Sequence, residues 1–186
     1  MDDTERIVFV TDEGTPTGET GPKLASHTAT THRHLAFSCY IFRKSDNAFL
    51  LTQRAFSKRV WPGVWTNSVC GHPAPGEPMP DAIRRRSQYE LGIHDLEDIR
   101  VMLPNYRYTT PPYNGIIENE FCPVFMAYTA AEPQPNPEEV EAYSWLSWES
   151  YVHMLQKQPD VMSYWAKDQY HQLQVLGLPK LRNRLF

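Results

Sequence analysis

The segment WTNSVCGHPAPGE, residues 65 to 77, sets Cys70 and His72 on either side of a glycine, in a stretch too broken by Gly and Pro to be helical. A glycine there lets the backbone approach a ligand closely. A second group lies in HTATTHRHLAFS, which holds His27, His32 and His34. His32 and His34 are two apart where a strand begins, so they face the same way. Glu118 and Glu120, in IIENEF, have the same spacing in an apolar strand. Two carboxylates on one face of such a strand are costly unless they are paired or bind a cation. Imidazole with carboxylate suits a divalent transition ion, or magnesium if water fills its shell. The alternative is a salt-bridged surface strand with both Glu in water. His94, His153 and His171 lie in polar surroundings and are read as surface histidines.

These groups need elements to hold them. LAFSCYIF (35–42) and NAFLLTQRA (47–55) are apolar and aromatic, and the turn cluster KSDN between them predicts a hairpin. MPDAIRRRSQYELG (79–92) predicts a helix, with Pro80 and Asp81 suited to its start and Gly92 to its end. Ile83, Ser87 and Leu91 fall on one face, and Arg84 and Arg85 make another side basic. IIENEFCPVFMAYT (116–129) predicts one long strand, with an edge or a bulge at Pro123. EAYSWLSW (141–148) predicts another strand, and the last forty or so residues two helices, at about 149–157 and 163–176. AEPQPNPEE (131–139) reads as a surface loop. The expected fold class is α/β or α+β, a compact mixed β-sheet sandwiched between helices.

The 186 residues suit one domain, 1–186, with a buried core. The 41% apolar and 22% charged fractions are ordinary for a soluble globular protein. A net charge of -4 gives no bulk attraction for nucleic acid or an anionic membrane. No apolar run approaches the ~20 residues of a membrane span. The acidic start MDDTERIVFVTDEGT lacks a signal peptide's pattern, so a cytoplasmic protein is expected. Three cysteines, none in CxxC spacing, argue against a disulfide framework and a cysteine-only zinc site. Cys39 and Cys122 lie in apolar contexts and predict small buried core residues, whereas Cys70 has no such setting.

Gly71, Glu77 and Arg85 are spaced as in the Nudix box, which the run RSQYELGI continues. The box is altered. Arg85-Arg86 stands where it has Arg-Glu, and Tyr89-Glu90 stands where it has two Glu. Losing two helix acids argues against hydrolysis but leaves Glu90 to hold a metal on a phosphate oxygen. WPGVWTNSVCGHPAPGE closely resembles the signature of type I isopentenyl diphosphate isomerases. So do HTATTHRHLAFS, RAFSKRVWPG, YELG and IIENEFCPVF, in that order, over about residues 20–150.

The resemblance implies a Nudix-like fold and a reversible 1,3-shift of a proton between isopentenyl and dimethylallyl diphosphate. It makes Cys70 and Glu120 the acid/base groups on the two faces of the allyl unit, with Tyr108 as a relay. It places one divalent ion, magnesium, manganese or zinc, on His27, His34, His72, Glu118 and Glu120, passing over His32. A second ion, magnesium, would bridge the diphosphate to Glu90. Lys23, Arg54, Lys58 and Arg86 would bind the diphosphate, and Trp165 would cover the hydrocarbon end, where an indole face stabilises a cation. A monomer acting on a small molecule is expected, with no nucleic acid or membrane partner. Two other readings remain: a Nudix pyrophosphohydrolase, disfavoured by Arg86 and Tyr89, and an inactive metal- or diphosphate-binding module.

Overall fold

The computed structural model describes residues 5–175; residue 176, at the end of the last expected helix, lies outside them. The chain opens with β1 (Arg6–Val10), β2 (Pro16–Pro22), the short helix α1 (Lys23–Ser26) and β3 (His34–Leu35). Then come β4 (Phe37–Arg43), β5 (Phe49–Arg54), β6 (Trp65–Thr66), β7 (Val69–Gly71) and helix α2 (Met79–Leu91). β8 (Glu97–Leu103), β9 (Arg107–Thr109), β10 (Asn119–Phe121), β11 (Val124–Thr129) and β12 (Val140–Leu146) lead to α3 (Trp148–Lys157), a three-ten turn and α4 (Tyr164–Val175).

Two sheets form where one was expected. The smaller runs β2-β1-β3-β10-β9; the larger runs β12-β5-β4-β11-β8, with β6 on β5 and β7 on β4. The predicted strand 116–129 is two strands, one in each sheet. Proline has no N–H to continue a ladder, and the chain changes sheets at Cys122-Pro123. The parallel neighbour changes sheets beside it, at Ala36. There Ala36 N donates to Phe121 O (2.9 Å) and Ser38 N to Pro123 O (3.2 Å). The seam between the sheets is therefore crossed by two parallel strands side by side.

The predicted hairpin β4–β5 forms, but its strands pair only at Phe42 and Phe49 before they diverge. β6 and β7 enter the fork, pairing Thr52 with Thr66 and Ser38 with Cys70. Two polar residues hold the fork at its apex. Ser68 Oγ accepts from Ile41 N (2.8 Å) and donates to Leu50 O (2.6 Å), while Asn67 Nδ2 donates to Cys39 O (3.3 Å) and Val69 O (3.0 Å). These contacts satisfy the backbone groups that splaying would leave unpaired.

Period-two alternation divides the core, and helices cover both faces of the larger sheet, as expected. Phe37, Cys39, Ile41 and Leu50 pack with Ala82, Ile83 and Leu91 of α2. Tyr40, Phe49 and Leu51 pack with Trp148, Tyr151 and Leu155 of α3 and with Trp165, Tyr170 and Leu173 of α4. Cys39 and Cys122 are buried, as predicted. Phe49 is fully buried against the rings of Tyr151 (4.7 Å), Tyr40 (5.3 Å) and Trp148 (5.8 Å). Phe49→Ala leaves a cavity there, and urea unfolding is expected to show a loss of about 3–5 kcal/mol.

Helix α2 ends at Gly92, whose φ of 63° is the left-handed conformation glycine adopts at low cost. The Pro-rich loop is more than a surface connection. Its Gln134 and Asn136 amides donate to the otherwise orphaned carbonyls of Leu91 (2.7 Å) and Glu90 (2.9 Å). Among the described residues, no helix is long and apolar enough to cross a membrane.

Candidate active site

Three strands of the smaller sheet bring His34, Glu120 and Tyr108 into one cross-strand row: Glu120 lies opposite His34 on one side and Tyr108 on the other. Directly opposed residues share a face. His34 Nδ1 lies 3.0 Å from His32 O, and His27 Nδ1 lies 2.6 Å from Lys23 O. A carbonyl only accepts, so both Nδ1 atoms carry hydrogen in these contacts, and each neutral ring presents its Nε2 lone pair. His32 itself is exposed and contributes a carbonyl.

The Nε2 atoms converge. His34 and His72 approach at 3.2 Å, His72 lies 3.3 Å from Glu120 Oε1, and His27 lies 3.2 Å from Glu118 Oε2. Candidate ligand atoms of His27, His34 and His72 lie within 4.8 Å of one another, as do those of His34, Glu118 and Glu120. Burial pushes the His72 imidazole down to about 4, which keeps it neutral as a ligand must be. Burial opposes charge on Glu120, but the His34 and His72 imidazoles beside it outweigh burial and hold the carboxyl well below its usual range. Converging imidazole nitrogens and buried carboxylates fit a divalent cation.

Cys70 comes from the larger sheet. Its thiol donates to Asn67 Oδ1 (3.2 Å) and lies 3.4 Å from Ser38 Oγ. Burial pushes it up to about 12 despite those two contacts, so at neutral pH it rests as a thiol. Tyr108 Oη donates to Glu120 Oε2 (2.8 Å), and burial followed by the Glu120 charge raises its pKa far above the ordinary phenol range. Gly71, expected to admit a ligand, instead makes room for the protein: a Cβ there would lie 2.8 Å from Cγ of Arg86 and 3.1 Å from the Phe37 ring.

A cavity of about 810 Å³ is lined by every expected site residue except the fully buried His34. Its cations already have partners. Lys23 pairs with Glu5 (2.8 Å), Arg86 with Glu90 (2.5 Å) and Glu139 (3.3 Å), and Lys58 with Glu139. Arg54 donates to the carbonyls of Trp61 (3.2 Å) and Val60 (3.1 Å), and its guanidinium lies 5.6 Å from the centroid of Trp165. Trp165 is buried, donates to Asn67 Oδ1 (3.1 Å) and stands beside Tyr108, with ring centroids 6.2 Å apart.

Residues 32–168 match the NUDIX domain family. The isopentenyl-diphosphate Delta-isomerase of Paenarthrobacter aurescens is 46% identical over 173 residues, covering 93% of this chain and 92% of the relative. That of Kocuria rhizophila is 42% identical, covering 97% and 96%. The chain belongs to the isopentenyl-diphosphate Delta-isomerase family. Crystal structures of a Deinococcus radiodurans protein (TM-score 0.62, 20% identity, 83% of this chain and 90% of that one) and of a Methanosarcina mazei MutT protein (0.59, 19%, 76% and 93%) share the fold.

In this isopentenyl-diphosphate Delta-isomerase family member, the spacing of the box has a mechanical use. Glu77 accepts from Ala74 N (2.7 Å) and from Arg85 (2.8 and 2.7 Å), and Arg85 also donates to His72 O (3.1 Å). The clamp ties the loop carrying His72 to α2. Sequence reasoning missed Asn67, Ser38 and Glu139. Asn67 is fully buried, and both its amide contacts are to carbonyls, which fixes Oδ1 toward Cys70 and Trp165. Gln169 donates to Ser38 Oγ (2.8 Å), freeing the hydroxyl hydrogen for a sulfur. The polar triplet Thr66-Asn67-Ser68 ahead of Cys70 was the available signal for Asn67; Glu139 had none.

Proposed function

We propose that this chain catalyses the reversible 1,3-allylic proton shift that converts isopentenyl diphosphate to dimethylallyl diphosphate, in isoprenoid biosynthesis, with Cys70 and Glu120 as its acid/base pair. The observation that carries this reading is their convergence: a thiol from the larger sheet and a phenol-bonded carboxylate from the smaller one line the same cavity. An alkene is a poor base, and its protonation gives a tertiary carbocation that water would capture. The site must therefore place a proton on one face, remove another from the opposite face, and stay dry. Because the reaction is reversible, each group donates in one direction and accepts in the other.

Tyr108 keeps Glu120 oriented and relays its proton. Asn67 holds the Cys70 thiol and the Trp165 indole against one acceptor, so thiol and aromatic wall are set together. Lys23, Arg54, Lys58 and Arg86 receive the diphosphate. His27, His34, His72, Glu118 and Glu120 would hold one divalent ion, magnesium, manganese or zinc, and Glu90 would hold magnesium on the diphosphate. These ions supply charge that sets carboxylate protonation and screens the phosphates. The proposal takes the whole chain, 1–186, as one domain working as a monomer in the cytoplasm, with no nucleic acid or membrane partner.

Proton and phosphorus NMR in D2O with magnesium and isopentenyl diphosphate tests it. New dimethyl signals with deuterium incorporated and the diphosphate intact are expected. Loss of diphosphate on an unchanged carbon skeleton would make the protein a hydrolase. No change with magnesium, manganese or zinc under reducing conditions would make it an inactive binding module.

A further inference from the structure

Glu139 lies in the segment the sequence marks as a surface loop, yet its side chain is only 14% exposed. The loop is fixed at both ends of this residue. Asn136 N caps Glu90 O (2.9 Å) at the end of α2, and Ala55 N donates to Glu139 O (3.0 Å) at the end of β5. The carboxylate thus stands between α2, which contributes Arg86, and the loop after β5, which contributes Lys58. Its side-chain partners among the described residues are Lys58 and Arg86. Burial opposes its charge, and Lys58 then Arg86 hold its carboxyl below the usual range.

Those two cations are the ones the proposed function assigns to the diphosphate. A diphosphate carries several negative charges. It cannot share Lys58 and Arg86 with a fixed carboxylate a few ångströms away without strong like-charge repulsion. Glu90 differs: it pairs with Arg86 (2.5 Å), whereas Glu139 joins Arg86 to Lys58.

We propose that Glu139 is an internal counter-ion that occupies the diphosphate subsite in the resting protein, so that substrate binds by exchange. This rests on the reading of Lys58 and Arg86 as diphosphate ligands. In the resting protein Glu139 neutralises both cations and holds their side chains at the site. An arriving diphosphate takes both cations and displaces the carboxylate. The exchange selects against weakly charged ligands: a carboxylate or a monoester supplies too little charge to replace Glu139, whereas a diphosphate supplies enough. Glu139 acts as a positioning and specificity residue and touches no reacting carbon.

Calorimetric titration with inorganic pyrophosphate, on metal-stripped protein in EDTA at fixed ionic strength, tests this directly. Glu139→Gln keeps the size of the side chain and removes the competing charge. It is expected to bind pyrophosphate about tenfold more tightly than the unaltered protein, the effect of removing one charge-assisted contact. A residue that served only to brace the loop would give the opposite sign, because losing it would loosen Lys58 and Arg86. Equal or weaker binding by Glu139→Gln overturns the counter-ion role. If Arg86→Met has lost binding in the same series, the diphosphate reading survives that failure. If the folded, unaltered protein and Glu139→Gln both fail to bind pyrophosphate, the diphosphate reading falls and the counter-ion proposal with it.

Discussion

Cys70→Ala is expected to lose at least about 10³-fold in turnover while melting within a few degrees of the unaltered protein. The first half follows from the chemistry. A proton must be delivered to, or taken from, a carbon with almost no basicity, and a methyl group carries none. The second half follows from the local hydrogen bonds. Asn67 Oδ1 keeps two donors when the thiol is removed, Thr66 Oγ1 at 3.0 Å and Trp165 Nε1 at 3.1 Å. The Ser38 hydroxyl keeps Cys122 Sγ at 3.5 Å. No buried polar group is stranded, which is the usual source of a large stability loss. Cys70 also faces the cavity, so its sulfur leaves a dent in an existing space. Deuterium incorporation followed by NMR, together with a thermal melt, separates the two halves. A variant that still exchanges deuterium at a near-normal rate would remove Cys70 from the acid/base pair. A variant that is inactive because it has unfolded would show in the melt.

How far the sequence reads depends on whether a feature is set locally. Helix α2 was legible because its signals lie within it: Pro80 and Asp81 in the first turn, Gly92 at the left-handed cap. The division of 116–129 was not, because apolar character continues through the break. What ends β10 is pairing with β3, and what begins β11 is pairing with β4, both distant in sequence. The hairpin was legible, but its fork was not, since the wedge of Asn67 and Ser68 acts across strands. The same distinction runs through the site. Spacing grouped Glu118 with Glu120 as candidate ligands, but that Glu120 lies opposite His34 is set by pairing between distant strands, and spacing offered His32 as readily as His27. Position decides that choice: His32 precedes β3 and points outward, while His27 leaves the end of α1 directed at Glu118. The cations came from family resemblance, because a surface lysine and a cavity lysine look alike in sequence. Glu139 was invisible for the same reason, since its place depends on a loop docking onto the end of a helix.

Glu120→Gln is expected to cost as much turnover as Cys70→Ala, and its comparison with Glu118→Gln separates acid/base chemistry from metal binding. Both substitutions preserve shape and remove one negative charge from the histidine cluster, so both should weaken a divalent ion there. Glu118 approaches His27 at 3.2 Å and stands outside the hydrogen bond between Tyr108 and Glu120. Glu120 joins the cluster through Oε1, near His72 at 3.3 Å, and the phenol of Tyr108 through Oε2 at 2.8 Å. One carboxylate is therefore shared between the ion site and the proton relay. An amide oxygen can still accept from Tyr108, but an amide cannot take up or release a proton near neutral pH. Raising the metal concentration should thus restore much of the turnover of Glu118→Gln and leave Glu120→Gln at least about 10³-fold down. Metal content measured after dialysis, alongside the rate, gives the two readouts. If saturating metal restores Glu120→Gln as well, Glu120 serves only to hold the ion, and the second acid/base group must be sought in Tyr108. If neither variant loses metal, the histidine cluster does not depend on its carboxylates, and the loss of turnover in Glu120→Gln alone would then report its proton chemistry undiluted.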